Sequence, residues 1–321
     1  MFAKKLVATS LAIFVTLGLA ACDPPMPPEL LAAQAEKTFT CVDGDLTVAA
    51  PDIIGDLVDS WSSSISQACA GMTLTKVAAT DATAQAQITL DGVLPSDCKP
   101  FGSFPIAIDG GVIAYALGAA PNLNLTPQNV QDIFSGKITS WADPSLKAAN
   151  PDAELPSLPI HIIGAPQQPV IDSLATWFKK SGVAFAPSSV KVAAKDDGTA
   201  LATMADGDIA LTSYSNALYA FSTVAAIKGP QGLAIADSLG MQNGADASYK
   251  PRSSTDAPGY AATYPIQLAL CGADNQVARA VARFLLRQDA QGALGSAIIA
   301  PLPDSLRVST IALVEKGLAK G

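Results

Sequence analysis

The sequence is poor in charge, has a single histidine, and carries no arginine before Arg252. Charged residues are 15% of its 321 positions, whereas hydrophobic ones are 49%. A disordered chain needs the opposite balance, low hydrophobicity with high net charge, so that class is excluded. The formal net charge is -8. A nucleic-acid binder needs a basic face to neutralise phosphates, so no nucleic-acid partner is expected. The one histidine, His161, sits in the apolar run Pro159–Ile163. A His-rich zinc site and a Ser–His–Asp triad would both rest on it, and a strand histidine with satisfied hydrogen bonds is the better account. No Gly-x-Ser-x-Gly elbow occurs, and the expectation is a protein that is not an enzyme and holds no cofactor or metal. There is no C-x-x-C pair, no internal repeat, and no second apolar run of membrane-spanning length.

What is present begins with an address. Lys4 and Lys5 precede the apolar run Leu6–Leu19, and Cys22 follows at once. The run is shorter than the ~20 residues of a spanning helix. Leu19-Ala20-Ala21-Cys22 resembles a bacterial lipobox, which implies a signal peptide over 1–21 and a lipid on Cys22. The protein is then exported and anchored to the outer face of the cytoplasmic membrane. Asp23-Pro24-Pro25-Met26-Pro27-Pro28 reads as a stiff extended spacer, because proline fixes φ and removes donors. A short helix is expected over Glu29–Lys37, within a linker of 22–42.

From Asp45 strands and helices alternate. Strands are expected at Leu46–Ala49, Met72–Val77, Ala86–Leu90, Phe104–Leu117, Ile160–Ile163, Ile209–Leu211 and Tyr264–Cys271. Helical spacing marks Asp52–Gln67, with Ile53, Ile54, Leu57, Val58, Trp61 and Ile65 on one face. Thr126 and Pro127 are an N-cap and a first helical turn, for a helix that runs to about Ser135 and stops at Gly136. Further helices are expected at Val170–Lys180, Thr199–Asp206 and Asp274–Leu286, and Gly229–Tyr260 reads as loop. Arg279, Arg283 and Arg287 lie four apart, opposite Val277, Val281 and Leu285, as a solvated stripe would. This alternation predicts α/β domains with largely parallel sheets, and the length allows two of them.

One stretch carries a family resemblance. Leu125-Thr126-Pro127 leads to Asp132-Ile133-Phe134-Ser135-Gly136-Lys137-Ile138-Thr139-Ser140-Trp141-Ala142-Asp143, then Asn150-Pro151, Leu155-Pro156 and Ile160. In this order it resembles the phosphate-binding proteins of bacterial ABC transporters. Asp196-Asp197-Gly198, Asp208-Ile209-Ala210, Tyr214 and the closing Ala300-Pro301-Leu302-Pro303-Asp304-Ser305 resemble the same family. The resemblance implies an α/β, two-lobed periplasmic-binding-protein-like fold, with two mixed sheets joined by crossing strands. Lobe I would be 43–116 plus 262–321 and lobe II 117–261, with crossings near Ala116–Asn122 and Pro258–Thr263. It also implies a small solute in the cleft, phosphate or another oxyanion, and an ABC permease as partner. The alternative is a tethered interaction or sensor lipoprotein that keeps the scaffold without a ligand.

The ligand loops depart from the family. Aligned on Trp177, the family's Arg, Asp and Ser-Gly-Thr positions read Gly164, Pro166, Gln168, Pro169 and Val170. The bidentate arginine clamp is gone, and two prolines remove backbone donors. The family's other ligand loops correspond to Val48-Ala49-Ala50-Pro51 and Thr80-Asp81-Ala82-Thr83. Asp91 lies where the family has an aspartate that accepts the proton of a protonated phosphate; a turn aspartate before Gly92 accounts for it equally. The ligand set the resemblance implies is therefore Ala50, Thr80, Asp81, Thr83, Asp91, Gln167 and Gln168. Cys41, Cys69, Cys98 and Cys271 are expected to form two disulfides in an exported protein. Spacing does not choose among three pairings. The element order favours Cys41–Cys69, at the ends of the first strand and helix, and Cys98–Cys271, on strands that should lie side by side.

Overall fold

A computed structural model describes residues 39–90, 94, 96–191, 199–246, 259–295 and 298–318, together with Pro27, Leu30 and Glu36. The expected lipid site Cys22, the aspartate Asp91 and most of the expected helix Glu29–Lys37 lie outside the described residues. Three parallel strands open the fold: β1 (Gly44–Ala50), β2 (Met72–Ala78) and β3 (Ala86–Thr89). Between the first two, a 3-10 turn (Asp52–Ile54) leads into α1 (Gly55–Ala68), which buries Leu57, Val58, Trp61 and Ile65. That is the apolar face the spacing predicts.

β4 (Pro100–Tyr115) is the longest strand and belongs to both halves of the molecule. Residues Pro100–Gly110 pair antiparallel with β11 (Thr263–Cys271). Residues Gly111–Tyr115 pair antiparallel with β7 (Asp208–Ser213). The main sheet runs β2-β1-β3-β11-β4-β7-β6, with β6 at His161–Ile162 and β8 (Thr223–Val224) also on β4. A second sheet, β10-β9-β5, joins Gly232–Ala234, Ala226–Gly229 and Asn124–Leu125. The sheets are therefore mixed and not largely parallel, because β11 lies antiparallel between β3 and β4. The handover along β4 falls at Gly110–Gly111, where the backbone is crowded. A Cβ on Gly111 would come 2.5 Å from the Val170 carbonyl oxygen.

The helices among the described residues cover these sheets: α2 (Pro127–Phe134), α3 (Pro144–Ala149), α4 (Gln168–Lys180), α5 (Thr199–Ala202), α6 (Tyr214–Tyr219), α7 (Ser238–Asp246), α8 (Gln276–Leu285), α9 (Gln288–Gly295) and α10 (Asp304–Glu315). α2 starts as expected: Thr126 Oγ1 accepts from Asn129 N–H, and Asn129 Oδ1 accepts in return from Thr126 N–H. Gly136 and Gly182 end α2 and α4 with φ of 78° and 77°, the left-handed conformation glycine adopts without cost.

Two expectations are corrected. The stretch Gly229–Tyr260 is not all loop, since it contains β10 and α7. Gly240 and Gly244 obscure that helix in the sequence, but they sit where the carbonyl oxygens of Ile235 and Tyr260 approach too closely for a side chain. Nor is the arginine row of α8 a solvated stripe. Arg283 is wholly buried, and its Nε donates to Glu315 of α10 at 2.7 Å. Arg279 pairs with Asp274 at 2.7 Å and stacks over Phe101. Arg287 pairs with Asp289 and lies over Phe39 and Phe284. A further buried arginine, Arg307 of α10, donates to Glu36, Asp304 and the Leu286 carbonyl. Two disulfides, Cys41–Cys69 and Cys98–Cys271, are present.

Candidate ligand-binding site

Strand direction selects one region of the surface. β1, β2 and β3 all run toward the handover and stop short of it, with Thr89 level with Pro105 through their common partner Gln267. From the other half, β6 and β7 run back toward the same point, and β7 ends where Ser213 faces Gly111. Five carboxyl ends thus converge on one crossing. In open α/β sheets ligands bind outside the carboxyl ends of the strands, where loops and helix N-termini gather. The 3-10 turn after β1 packs against α6 after β7, so the two sets of ends touch.

The residues expected to bind a ligand distribute unevenly over this region. Ala50 closes β1 and is fully buried. Gln167 is the buried N-cap of α4, whose start lies against Gly111. Gln168 is exposed and donates to Asp172 on its own helix at 2.7 Å. Thr80, Asp81 and Thr83 form the turn between β2, an edge strand, and β3. There Asp81 Oδ1 accepts from Thr83 N–H at 2.8 Å and from its hydroxyl at 2.7 Å. Those two bonds hold the Asp81 carboxyl below the usual carboxylate range, so it stays an anion.

Several residues at the crossing escaped the sequence reading. Asp109, one residue before the handover, is fully buried. Its Oδ1 accepts from Gly110 N–H at 2.8 Å and Ser215 N–H at 3.2 Å, and its Oδ2 accepts from the Ser215 hydroxyl at 2.6 Å. Ser213 caps α6 by accepting from Asn216 N–H, and its hydroxyl lies 3.1 Å from that of Ser215. Tyr214 is buried beside them, and burial pushes its phenol up, against the opposing effect of its hydrogen bond with Ser238. Thr89, at the carboxyl end of β3, is buried and its hydroxyl has no hydrogen-bond partner among the described residues. Lys76, near the end of β2, sits over the space Gly55 leaves at the start of α1 and pairs with exposed Asp52 at 3.1 Å. No motif signals these positions, which come from remote parts of the chain. The sole histidine, His161, stands on β6 with a mostly exposed ring, 3.4 Å from Asp208.

Elsewhere, a surface groove of about 550 Å³ is lined by Asn122, Asn124, Asn150, Asp152 and Glu154. The Asn150 amide is already engaged by the Asn124 backbone, and the carboxylates make the groove unsuited to an anion. Among the described residues no three His, Cys, Asp or Glu side chains cluster as a metal would require.

A family model described as a PBP superfamily domain matches residues 61–289. The chain belongs to the PBP superfamily. Its curated relatives include "Phosphate-binding protein PstS 3" of Mycobacterium leprae, 31% identical over 245 residues, 65% of this chain and 66% of that one. The protein of the same name from Mycobacterium tuberculosis is 29% identical over 242 residues, 65% of each chain. This PBP chain therefore spans just under two thirds of the length of those relatives. Among solved structures, a putative phosphate ABC transporter substrate-binding protein from Clostridium perfringens, with bound phosphate, aligns over 81% of this chain and all of its own, at a TM-score of 0.52 and 12% identity. The phosphate-bound PfluDING protein aligns over 87% of this chain and all of its own, at 0.55 and 13%. At those identities the structures establish the PBP fold, and the expected family resemblance holds.

Proposed function

We propose that this PBP-superfamily protein is the substrate-binding component of a phosphate-type ABC uptake system. Its solute would sit at the crossing, between lobes of about 43–116 plus 262–321 and 117–261. The observation that carries this reading is the convergence of five strand carboxyl ends on one crossing. The phosphate-binding names of its relatives support it, as does the Thr89 hydroxyl at the carboxyl end of β3, which has no partner among the described residues. The closed lobes dock on a permease, and a lipid on Cys22 holds the protein at the outer face of the membrane. No helix among the described residues is long and apolar enough to cross a membrane. Mass spectrometry of the mature N-terminus checks the anchor; an unmodified Cys22 would remove it.

The same residues argue that phosphate itself binds weakly. A dianion must find donors enough to replace its water shell. Pro166 and Pro169 offer no N–H, Gln168 is engaged by Asp172, and the Ser215 donors are engaged by Asp109. Each charge-assisted hydrogen bond missing removes ~1.5–3 kcal/mol, so two missing reduce affinity by roughly two to four decades. Calorimetry with inorganic phosphate at neutral pH should return a dissociation constant above the micromolar range. A submicromolar constant would show that donors outside those described form the site.

A further inference from the structure

We propose that Asp109 and Ser215 form a clasp that keeps the two halves of the free protein closed on each other, before any ligand arrives. The clasp rests on the fold alone and not on the identity of the solute. Asp109 belongs to the part of β4 that pairs with β11, facing Tyr264. Ser215 belongs to α6, which follows β7 in the other half. The Ser215 hydroxyl reaches Asp109 Oδ2 at 2.6 Å and its amide reaches Oδ1 at 3.2 Å. Both residues are fully buried. A carboxylate is taken out of water at considerable cost unless donors meet it, and here two of its donors come from the far side of the handover.

Neighbouring contacts stitch the two crossing strands to each other and to the second half. Gly111 N–H donates to the Ala262 carbonyl at 2.9 Å, which ties the second crossing to the first. The Tyr260 hydroxyl donates to the Gly111 carbonyl at 2.9 Å, and its ring meets Trp177 of α4 edge-on. Swinging the halves apart about Gly110–Gly111 would withdraw both Ser215 donors from the buried Asp109 carboxylate. Hydrogen bonds to charged groups shift a two-state balance by roughly 10–100-fold each, enough to decide which state dominates.

Asp109→Asn tests this gently. An asparagine at that position keeps an acceptor for both amides and can donate to the Ser215 hydroxyl, so the fold is retained while the charge is lost. Ser215→Ala removes the hydroxyl and leaves the carboxylate. In the free full chain, amide exchange at Ser215 and Asn216 should accelerate roughly 10–100-fold in Ser215→Ala, which loses a charge-assisted bond, and by a smaller factor in Asp109→Asn, which loses only the charge. The radius of gyration from solution scattering should rise above that of the parent. Exchange in the core of β1 and α1 should stay unchanged. Two results would overturn the clasp: scattering of the parent that already corresponds to an open form, or variants whose exchange rises equally throughout, which would mark Asp109 as merely structural. Unchanged exchange and dimensions in both variants would overturn it as well. Since no ligand is used, these outcomes are independent of whether phosphate binds.

Discussion

At the scale of single residues, two positions stand against the usual rules. Phe221, just after α6, is 96% exposed and has a φ of 53°. The left-handed region costs a residue with a Cβ about 1 kcal/mol or more, and glycine nothing. Phe221→Gly should therefore stabilise the protein by about 1 kcal/mol, read as a higher midpoint in urea at unchanged slope. Thr89 is the second, a buried hydroxyl at the carboxyl end of β3 without a partner among the described residues. Thr89→Val keeps the shape and removes the orphan, so the free protein should gain up to about 1 kcal/mol. If the hydroxyl faces the solute, the same variant should lose ligand-dependent stabilisation in a thermal-shift titration with oxyanions. A gain in the free state with no loss in the bound state would place the solute elsewhere. Neither residue is legible in the sequence. Phenylalanine and threonine are ordinary residue types, and only the backbone angle or the missing partner makes them unusual.

Among elements, the seam between α8 and α10 shows where sequence reading succeeds and where it stops. The existence of α8 and its apolar face of Val281 and Leu285 follow from spacing. Its arginines do not, because α10 and Glu36, which cover them, lie far away in the chain. Long arginine stems pack as hydrocarbon once a carboxylate meets the head group. Arg283 has its Nε on Glu315, yet both terminal nitrogens are buried without partners among the described residues. Arg307 is better served, by Glu36 at 2.7 Å, Asp304 at 3.2 Å and the Leu286 carbonyl at 2.9 Å. The two should respond differently to the same substitution. Arg283→Met removes two orphaned donors and leaves a partly exposed glutamate, and should be neutral within about 1 kcal/mol or stabilising. Arg307→Met takes the guanidinium donors from the Leu286 carbonyl and from Glu36, and should cost about 2 kcal/mol. Chemical denaturation of the pair separates them; equal losses would refute the distinction.

For the whole molecule, the alternation of strand and helix and the ordered Gly-Lys-Ile, Trp and Asn-Pro stretch were enough to anticipate the fold class. The crossing was less legible, since a 16-residue strand shared by two halves reads in sequence as one apolar run. The candidate site was least legible: Ala50 and Gln167 reach the crossing, whereas Asp109 and Ser215 are brought together only by the pairing of Gly111 with Ser213. One bridge has a bearing on how the protein withstands a protease. Cys98 and Cys271 join the far ends of β4 and β11 across a separation of 173 residues. Everything from the handover through the second half is thus a closed covalent ring, tied at its base to the first half. A protease that nicks this ring once, at an exposed lysine such as Lys137 or Lys179, frees nothing. The nicked protein should migrate as one species on a non-reducing gel and as two after reduction. A cut in the tail beyond Cys271 would instead release α10 in both gels. The ring lets the second half tolerate a broken backbone while both parts of the crossing remain attached.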